Sequence, residues 1–358
     1  MLCIQTIVIK IGSAVLTKKN KSLNIKVLKH LAEQIAELHQ EGHRVLLVSS
    51  GAVAAGKGII DALSKEKRRA IRRHMYSGLG QSKVTQAYQE VFDAHKIPVA
   101  QVLITRDNFA EKTEFENLMS TLEGYLKCRV IPILNENDII ANNKKNFGGN
   151  DLLAALTAAS IRADKLIILS DIDCLYDKDP NLNKNATPIH IVEKITPEIE
   201  KMCGGSTSGI GLGGMISKIR AIKIAQESGI KCFMGKGTKK NILHNVVDTK
   251  KPVGTYFKPV QKKQARFKHW LKYCSLPKGT ITVDEGASKA LKKRKSLLFV
   301  GVKAISDGVD VKDTVLIVNE HNEPIGTGKI NYTSKEIKKA LRKKENLKVI
   351  IAADQLSL

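Results

Sequence analysis

Two lysines in this 358-residue chain stand beside glycine-rich turns, a setting that suits phosphate. Lys10 precedes Gly12 and Ser13, and Lys218 ends the glycine-rich run 204–218. Backbone N–H groups at such turns and at helix N-termini attract anions, and an ammonium group adds a mobile positive charge. The run 204–218 lacks the G-x-x-x-x-G-K-[ST] pattern, which disfavours a Walker-type ATPase. For Lys10 alone, a solvated lysine at a strand edge remains an alternative.

Small and polar residues follow the other predicted strands. Residues 49–56 (Ser-Ser-Gly-Ala-Val-Ala-Ala-Gly) would let a ligand approach the backbone, or would only pack a helix closely on the sheet. Residues 135–138 (Asn-Glu-Asn-Asp) supply a carboxylate for an ammonium group and amides for a carboxylate, which suits a zwitterion. A capped turn is the alternative, since Asn and Asp also begin helices.

Four more polar residues fall at predicted strand ends or helix starts. Asn150 and Asp151 precede a helical pattern, so one of them caps this helix, or Asn150 holds substrate and Asp151 orients a lysine. Ser170 and Asp171 close a predicted strand, where they contact a nucleotide or form a polar loop. With the two lysines, these residues predict phosphoryl transfer, in which catalysis is mostly positioning and charge neutralisation. A carboxylate acceptor is already ionised, which fits a site without an obvious catalytic His.

The elements that must position these residues alternate between strand and helix up to about residue 258. The first unit reads strand 4–10, helix 25–41 and strand 44–48, and the pattern repeats. Such alternation predicts an α/β fold, a parallel-sheet αβα sandwich with ligands beyond the carboxyl ends of the strands. Short strand patterns with glycine-rich turns then predict a small C-terminal β-barrel. We therefore expect domains at 1–258 and 277–358, with residues 259–276 as a linker.

The composition indicates a basic protein of a reducing compartment. The formal net charge is +24, and residues 261–358 hold 21 Lys and Arg against 10 Asp and Glu. This excess indicates a functional basic surface, or only a lysine-rich proteome. Six scattered cysteines without a C-x-x-C pair argue against a zinc site or a disulfide framework. No signal peptide or transmembrane pattern is visible, so we expect a cytoplasmic protein without membrane contact.

Six stretches carry a resemblance to a known family: residues 8–13, 48–56, 132–138, 149–151, 163–171 and 211–218. In this order they resemble the amino-acid kinase superfamily and, within it, the glutamate 5-kinases. Residues 276–287 resemble the PUA domain, a small pseudo-barrel found in RNA-modifying enzymes. The resemblance implies ATP-dependent phosphorylation of the γ-carboxylate of L-glutamate to γ-glutamyl phosphate, the first step of proline biosynthesis. It also implies Mg²⁺ on the nucleotide phosphates without a dedicated protein metal site, feedback inhibition by proline, and a homo-oligomer.

The resemblance also assigns roles to individual residues. Lys10 and Lys218 would stabilise the transferring phosphoryl group, and Asp151 would organise both lysines. Ser50, Asp138 and Asn150 would hold glutamate. The ATP site would comprise Lys10, Ser170, Asp171, Leu212, Gly213, Gly214, Met215, Ile216, Ser217 and Lys218.

Two positions depart from the family pattern, and two other functions compete with this one. Gly149 stands where Asp is usual, which bears on ammonium binding and proline sensitivity, and Leu212 replaces a common Thr. One alternative is an RNA-binding protein with a secondary kinase part, which the basic run 292–295 and the PUA-like pattern favour. The other is a sister kinase of the same fold that phosphorylates aspartate, acetylglutamate, carbamate or uridylate.

Overall fold

The computed structural model describes residues 4–18, 22–61, 64, 72–141, 147–180, 182–204, 214–247, 253–260, 266–343, 345 and 347–358. The chain divides into two compact units. The first comprises Met1–Asn108 and Glu116–Lys263, and the second comprises Phe109–Phe115 and Gln264–Leu358.

An eight-stranded sheet forms the centre of the first unit. Its members are β1 (Thr6–Ile11), β2 (Arg44–Ser49), β3 (Val99–Ile104), β4 (Ile131–Glu136), β5 (Lys165–Ser170), β8 (Ile191–Val192), β9 (Lys231–Lys236) and β10 (Thr255–Phe257), while β6 (Leu175–Tyr176) and β7 (Pro188–Ile189) form a separate ribbon. The strand order is β3-β4-β2-β1-β5-β9-β10-β8. All pairs from β3 to β9 are parallel, and β10 is antiparallel to β9. The predicted parallel sheet is therefore confirmed, with an antiparallel pair near one edge.

Helices follow most of these strands, as the alternating pattern predicts. They are α1 (Ser13–Leu16), α2 (Ile25–Gln40), α3 (Ala52–Asp61), α4 (Arg73–Ala94), α5 (Arg106–Ala110), α6 (Lys112–Lys127), α7 (Asn150–Ser160), α8 (Pro197–Gly204), α9 (Met215–Glu227) and α10 (Ile242–Val247). Local signals set both ends of helix α2. The Asn24 side chain accepts from the Val27 amide at its start, and Gly42 follows its end with φ +101°. None of the described helices is long and apolar enough to cross a bilayer.

The residues of β1 alternate between the two faces of the sheet. Ile7, Ile9 and Ile11 lie in one buried core, together with apolar residues of α2 and α4. Because successive strand residues point to opposite faces, Lys10 lies on the other face. Helix α7 packs against β1 there. A lysine is thus placed inside the covered face of a central strand, next to the first turn of a helix.

Helices α3 and α4 meet with their backbones in contact. A Cβ atom at Gly56 would collide with the backbone carbonyl of Tyr76, and one at Gly80 would collide with that of Ala52. Only glycine allows this approach at both positions. The contact fixes α4 against α3, and α3 begins just beyond the end of β2.

The second unit is built mainly on antiparallel strands and has a core of its own. Its strands are β11 (Gly279–Val283), β12 (Leu297–Leu298), β13 (Val302–Ile305), β14 (Thr314–Val318), β15 (Pro324–Lys329), β16 (Val349–Ile351) and β17 (Leu356–Ser357). One sheet has the order β13-β11-β14-β15-β17, with β11 parallel to β14, and β12 pairs with β16. Its helices are α11 (Arg266–His269), α12 (Glu285–Lys292) and α13 (Ser334–Lys343), with short helical turns at Trp270–Cys274, Phe299–Gly301 and Ala353–Gln355. The predicted small β domain is confirmed.

Residues 266–274, which the sequence assigned to a linker, are helical and lie within the second unit. Trp270 and Leu271 are buried, and the Trp270 indole donates to the Phe109 carbonyl over 2.9 Å. Phe115 contacts the same indole with ring centroids 6.2 Å apart. Segment 109–115 thus clusters with the C-terminal residues because they bury a common aromatic group.

The helix contact predicts opposite effects for two glycines of α3. In Gly56→Ala the new methyl group collides with the Tyr76 carbonyl, so we expect the free energy of unfolding to fall by about 1–3 kcal/mol. In Gly58→Ala the methyl group meets nothing within 4 Å, so we expect a gain of up to about 1 kcal/mol from helix propensity. Urea unfolding of both variants measures the difference, and equal stabilities would contradict the contact.

Candidate active site

The carboxyl ends of three parallel strands meet at one edge of the sheet. Ile11 at the end of β1 pairs with Ser49 of β2 on one side and Leu169 of β5 on the other. The Gly12 amide donates to the Leu169 carbonyl over 3.0 Å, and the Ser50 amide donates to the Ile11 carbonyl over 3.1 Å. The segments that follow these strands are therefore neighbours, at the edge where open α/β sheets bind ligands.

Lys10 and Lys218 meet at a single carboxylate. Lys10 Nζ lies 2.5 Å from Asp151 Oδ1, and Lys218 Nζ lies 3.3 Å from Asp151 Oδ2. Lys10, Lys218 and Asp151 are 5%, 7% and 3% exposed, respectively. Two cations and one anion thus share a nearly dry site with a net positive charge, which is suited to a phosphoryl group.

The local charges shift the pKa values of this cluster. Burial lowers the pKa of Lys10 below its ordinary value, although the Asp151 charge opposes the shift and the Lys218 charge adds to it. Burial alone would raise the pKa of Asp151, but the two ammonium groups outweigh it and hold that pKa below its usual range. Asp151 is therefore an anion at neutral pH and serves as the common counter-charge of the lysines.

Helix α7 presents Asp151 because its first turn opens toward the sheet edge. Gly149 is the N-cap and makes no side-chain capping bond, so neither Asn150 nor Asp151 serves as the cap. Helix α9 packs against α7 and brings Lys218 in its first turn. Ser217 Oγ lies 3.3 Å from Asp151 Oδ2 and 2.9 Å from the Gly214 carbonyl. Both helix N-termini add partial positive charge on the same side.

Asn150 belongs to a chain of side-chain amides behind Ser50. Its Nδ2 lies 3.0 Å from Ser50 Oγ, 2.8 Å from Asn135 Oδ1 and 3.3 Å from the Ser49 carbonyl. Asn135 Nδ2 in turn donates to Gln81 Oε1 over 2.8 Å. The donors of Asn150 thus face the protein, and its oxygen is the amide atom left for a ligand among the described contacts. The Asn135 amide, which was expected to help bind a carboxylate, is instead bonded to Gln81, Asn150 and the Glu136 amide.

Asp138 lies in the segment after β4, with the neighbouring helix holding it. The Ser77 hydroxyl of α4 donates to Asp138 Oδ2 over 2.7 Å. Asn135 and Glu136, expected in a loop, are the last residues of β4. Burial raises the pKa of Glu136, whose carboxylate accepts from the Phe147 amide over 2.9 Å.

Sequence reasoning missed Ser77 and Gln81. Both residues lie on α4, which begins at Arg73. The available signal was two small glycines, Gly78 and Gly80, between two polar residues one turn apart. That pattern is typical of a helix that is buried among backbone neighbours, where polar side chains need partners.

The expected nucleotide residues are described only in part. Ser170 is buried at the end of β5, where its hydroxyl lies 3.0 Å from Oδ1 of the exposed Asp171. Gly214 is the N-cap of α9, and Met215, Ile216 and Ser217 form its first turn with Lys218. Leu212 and Gly213 lie outside the described residues. Within the described ranges, no group of three His, Cys, Asp or Glu side chains is arranged to hold a metal ion.

Comparison with known proteins identifies the family of the first unit. The model of the amino acid kinase family matches residues 5–236. The chain belongs to the amino acid kinase family. A second model, the PUA domain, matches residues 279–349 and coincides with the β-rich second unit. The expected fold, an amino-acid kinase domain followed by a small PUA-like domain, is confirmed.

Enzymes named glutamate 5-kinase match this chain over most of its length. That of Caldanaerobacter subterraneus subsp. tengcongensis is 38% identical over 334 residues, 93% of this chain and 89% of that protein. That of Dictyoglomus thermophilum is 38% identical over 350 residues, 97% of this chain and 93% of that protein. The solved carbamate kinase from Giardia lamblia bound to AMP-PNP superposes with a TM-score of 0.51 at 19% identity, covering 72% of this chain and 99% of that one. This structural likeness supports the kinase fold.

Gly149, where the family resemblance implies an Asp, has φ +130° and ψ 158°. Only glycine adopts this conformation without strain. The missing carboxylate therefore goes together with a loop conformation that favours glycine. Of the substrate residues expected from the sequence, Ser50, Asp138 and Asn150, only Asp138 carries a carboxylate.

The lysine cluster predicts a pH-dependent stability loss in Asp151→Asn. Two buried ammonium groups would lose their counter-charge, so we expect the free energy of unfolding to fall by about 3–5 kcal/mol at neutral pH. The pKa of Lys10 would fall further below that in the unfolded chain, so the folded variant gains stability as pH rises. The deficit should therefore shrink between about pH 7 and about pH 10 in urea unfolding.

Asp171→Asn is the control for this experiment. Its carboxylate is exposed, so we expect a change of no more than about 0.5 kcal/mol. Equal losses in the two variants, or a deficit that does not change with pH, would contradict the role of Asp151 as counter-charge.

Proposed function

We propose that this chain transfers the γ-phosphate of ATP to the γ-carboxylate of L-glutamate and thereby makes γ-glutamyl phosphate, the first step of proline biosynthesis. The observation that carries the proposal is the meeting of Lys10 and Lys218 at Asp151, beside a pocket of amide and carboxylate groups. The relatives named glutamate 5-kinase, which match over most of the chain, support this acceptor rather than that of a sister kinase.

The two lysines would act on the transferring phosphoryl group. Negative charge in phosphoryl transfer is spread over three equatorial oxygens, and two ammonium groups in a nearly dry site stabilise it strongly. Asp151 keeps both lysines in place without contacting the phosphoryl group itself. The acceptor carboxylate is ionised at neutral pH, so the reaction needs no general base of its own.

Glutamate would bind where β2 and β4 end and α7 begins. Asp138 supplies an anion for the α-ammonium group, and Asn150 and Ser50 supply further polar contacts. The γ-carboxylate would then point toward the lysines, since Asp151 directly follows Asn150 in the chain. This orientation places the reacting oxygen and the two ammonium groups on the same side of the sheet edge.

ATP would bind along β5 and the start of α9. Ser170 ends β5 and Asp171 follows it, and the Gly214–Lys218 turn presents backbone donors to phosphate. Leu212 and Gly213 complete the set expected from the sequence. Both oxygens of Asp151 face ammonium groups, so this carboxylate does not fit a metal ion. The phosphates and the exposed Asp171 fit Mg²⁺ better, and the ion would neutralise phosphate charge.

Three further expectations stay predictions. They are feedback inhibition by proline, assembly into a homo-oligomer, and contact of the PUA domain with RNA. The basic helix α13 of the second unit supports the last of these, since lysines and arginines recur along it.

The proposal predicts that Lys10→Ala and Lys218→Ala each abolish acyl phosphate formation. Each variant removes one of the two charges that stabilise the transferring group, so we expect activity to fall by at least about a thousandfold. Hydroxylamine traps the acyl phosphates of glutamate, aspartate and acetylglutamate as hydroxamates, which tests these three acceptors. Uridylate forms no acyl phosphate, so ADP release measures its phosphorylation in parallel.

Lys223→Ala is the matched control. Lys223 lies on the same helix as Lys218 and also pairs with a carboxylate, that of Glu200 over 2.6 Å, but away from Asp151. It should keep nearly full activity. Robust hydroxamate formation by Lys10→Ala or Lys218→Ala would overturn the mechanism, and a wild-type protein that uses another acceptor would overturn the substrate.

A further inference from the structure

Helix α4 contacts two of the groups that surround the proposed glutamate pocket. Ser77 and Gln81 lie one turn apart on this helix and therefore project from the same face. Both are buried, at 4% and 8% exposure. One reaches the segment after β4, and the other reaches the end of β4 itself.

Ser77 fixes the carboxylate of Asp138. Its hydroxyl donates to Oδ2 over 2.7 Å, so Oδ1 is the oxygen turned to other partners. A hydrogen bond from a buried hydroxyl holds a carboxylate in one rotamer. Asp138 itself lies in the turn that follows β4.

Gln81 acts on the amide chain of Asn135 and Asn150. Its Oε1 accepts from Asn135 Nδ2 over 2.8 Å, and its Nε2 lies 3.4 Å from Thr85 Oγ1. Asn135 Oδ1 then accepts from Asn150 Nδ2 over 2.8 Å. Each amide thus donates to the next in the direction from Asn150 to Gln81.

Two backbone groups confirm the direction of this chain independently. The Glu136 N–H can only donate, and it lies 3.0 Å from Asn135 Oδ1. The Ser49 carbonyl can only accept, and it lies 3.3 Å from Asn150 Nδ2. With its donors facing inward, Asn150 keeps its oxygen for the ligand. Asp138 and Asn150 therefore both present acceptors, which suits an ammonium group and not a carboxylate.

The backbone contact between α3 and α4 makes this arrangement rigid. Gly80 lies next to Gln81 and touches the carbonyl of Ala52, two residues beyond Ser50. Ser77 and Gln81 are therefore held at a fixed distance from the end of β2. Positioning groups need this kind of rigid support to control a ligand geometry.

We infer that Ser77 and Gln81 are positioning residues that make the pocket selective for the α-ammonium group of its amino-acid substrate. Ser77 does so through Asp138, and Gln81 does so through Asn135 and Asn150. The inference rests on the proposed function, since it assumes that glutamate binds beside Asp138 and Asn150. It predicts that an acid without an amino group binds more weakly than glutamate.

Steady-state kinetics of Ser77→Ala and Gln81→Met test this inference. Each variant should raise the KM for glutamate about tenfold or more, while kcat and the KM for ATP change by less than about twofold. Gln81→Glu keeps an acceptor oxygen for Asn135 Nδ2 in either protonation state, so it should restore most of the affinity that Gln81→Met loses.

Two competitive inhibitors separate positioning from a general structural effect. Glutarate is glutamate without the ammonium group, and 4-aminobutyrate is glutamate without the α-carboxylate. Ser77→Ala and Gln81→Met should raise the inhibition constant of 4-aminobutyrate as much as the KM for glutamate, and should change that of glutarate by less than about twofold. Equal losses for all three ligands, or no loss for glutamate, would overturn the inference.

The same helix supplies matched controls. Ser82 and Gln86 are also one turn apart but are exposed, so Ser82→Ala and Gln86→Met should leave all constants unchanged. If Gln81→Met does not fold, Ser77→Ala and Gln81→Glu still decide the question. A wild-type protein that does not phosphorylate glutamate rejects the proposed function, whereas an active wild type with unchanged Ser77→Ala kinetics rejects only this inference.

Discussion

A single carboxylate shared by two buried ammonium groups is the interaction on which the rest of the site depends. Lys10 comes from β1, Lys218 from α9 and Asp151 from α7, so the cluster joins three elements that are distant in the chain. Two like charges at this burial would repel strongly without the shared anion. The cluster stays net positive, so its charge is balanced only when an anionic group such as a phosphoryl group binds.

The fold provides this geometry through one central strand and two helix starts. Parallel pairing of β1 with β2 and β5 brings three strand ends to one edge, and the alternation of β1 side chains turns Lys10 toward α7. On the far side of β2, the backbone contact of α3 with α4 brings polar side chains to the acceptor pocket. In the proposed complex, α7 and α9 thus carry groups that act on the phosphoryl charge. Helix α4, at the same sheet edge, supports the groups that bind the substrate ammonium.

Part of this could be predicted from the sequence. Lys10 and Lys218 stand beside glycine turns, and strong apolar periodicity marks β1, α2 and the other repeating units, so the sheet and its ligand edge follow from pattern alone. The direction of the amide chain could not, because it depends on the Glu136 amide and the Ser49 carbonyl, which only the folded sheet brings together. Ser77 and Gln81 look like ordinary polar helix residues until the fold brings Asp138 and Asn135 next to them. The helical segment 266–274 was taken for a linker because its basic residues hid a buried Trp270.

The most direct test of the account is a crystal structure with ADP, glutamate, Mg²⁺ and aluminium fluoride, which imitates the transferring phosphoryl group. The account predicts that Lys10 Nζ and Lys218 Nζ both lie within about 3 Å of the fluoride ligands of the same aluminium ion, with Asp151 still between them. A structure in which either ammonium group contacts a different part of the ligands, or points into a separate cavity, would contradict it.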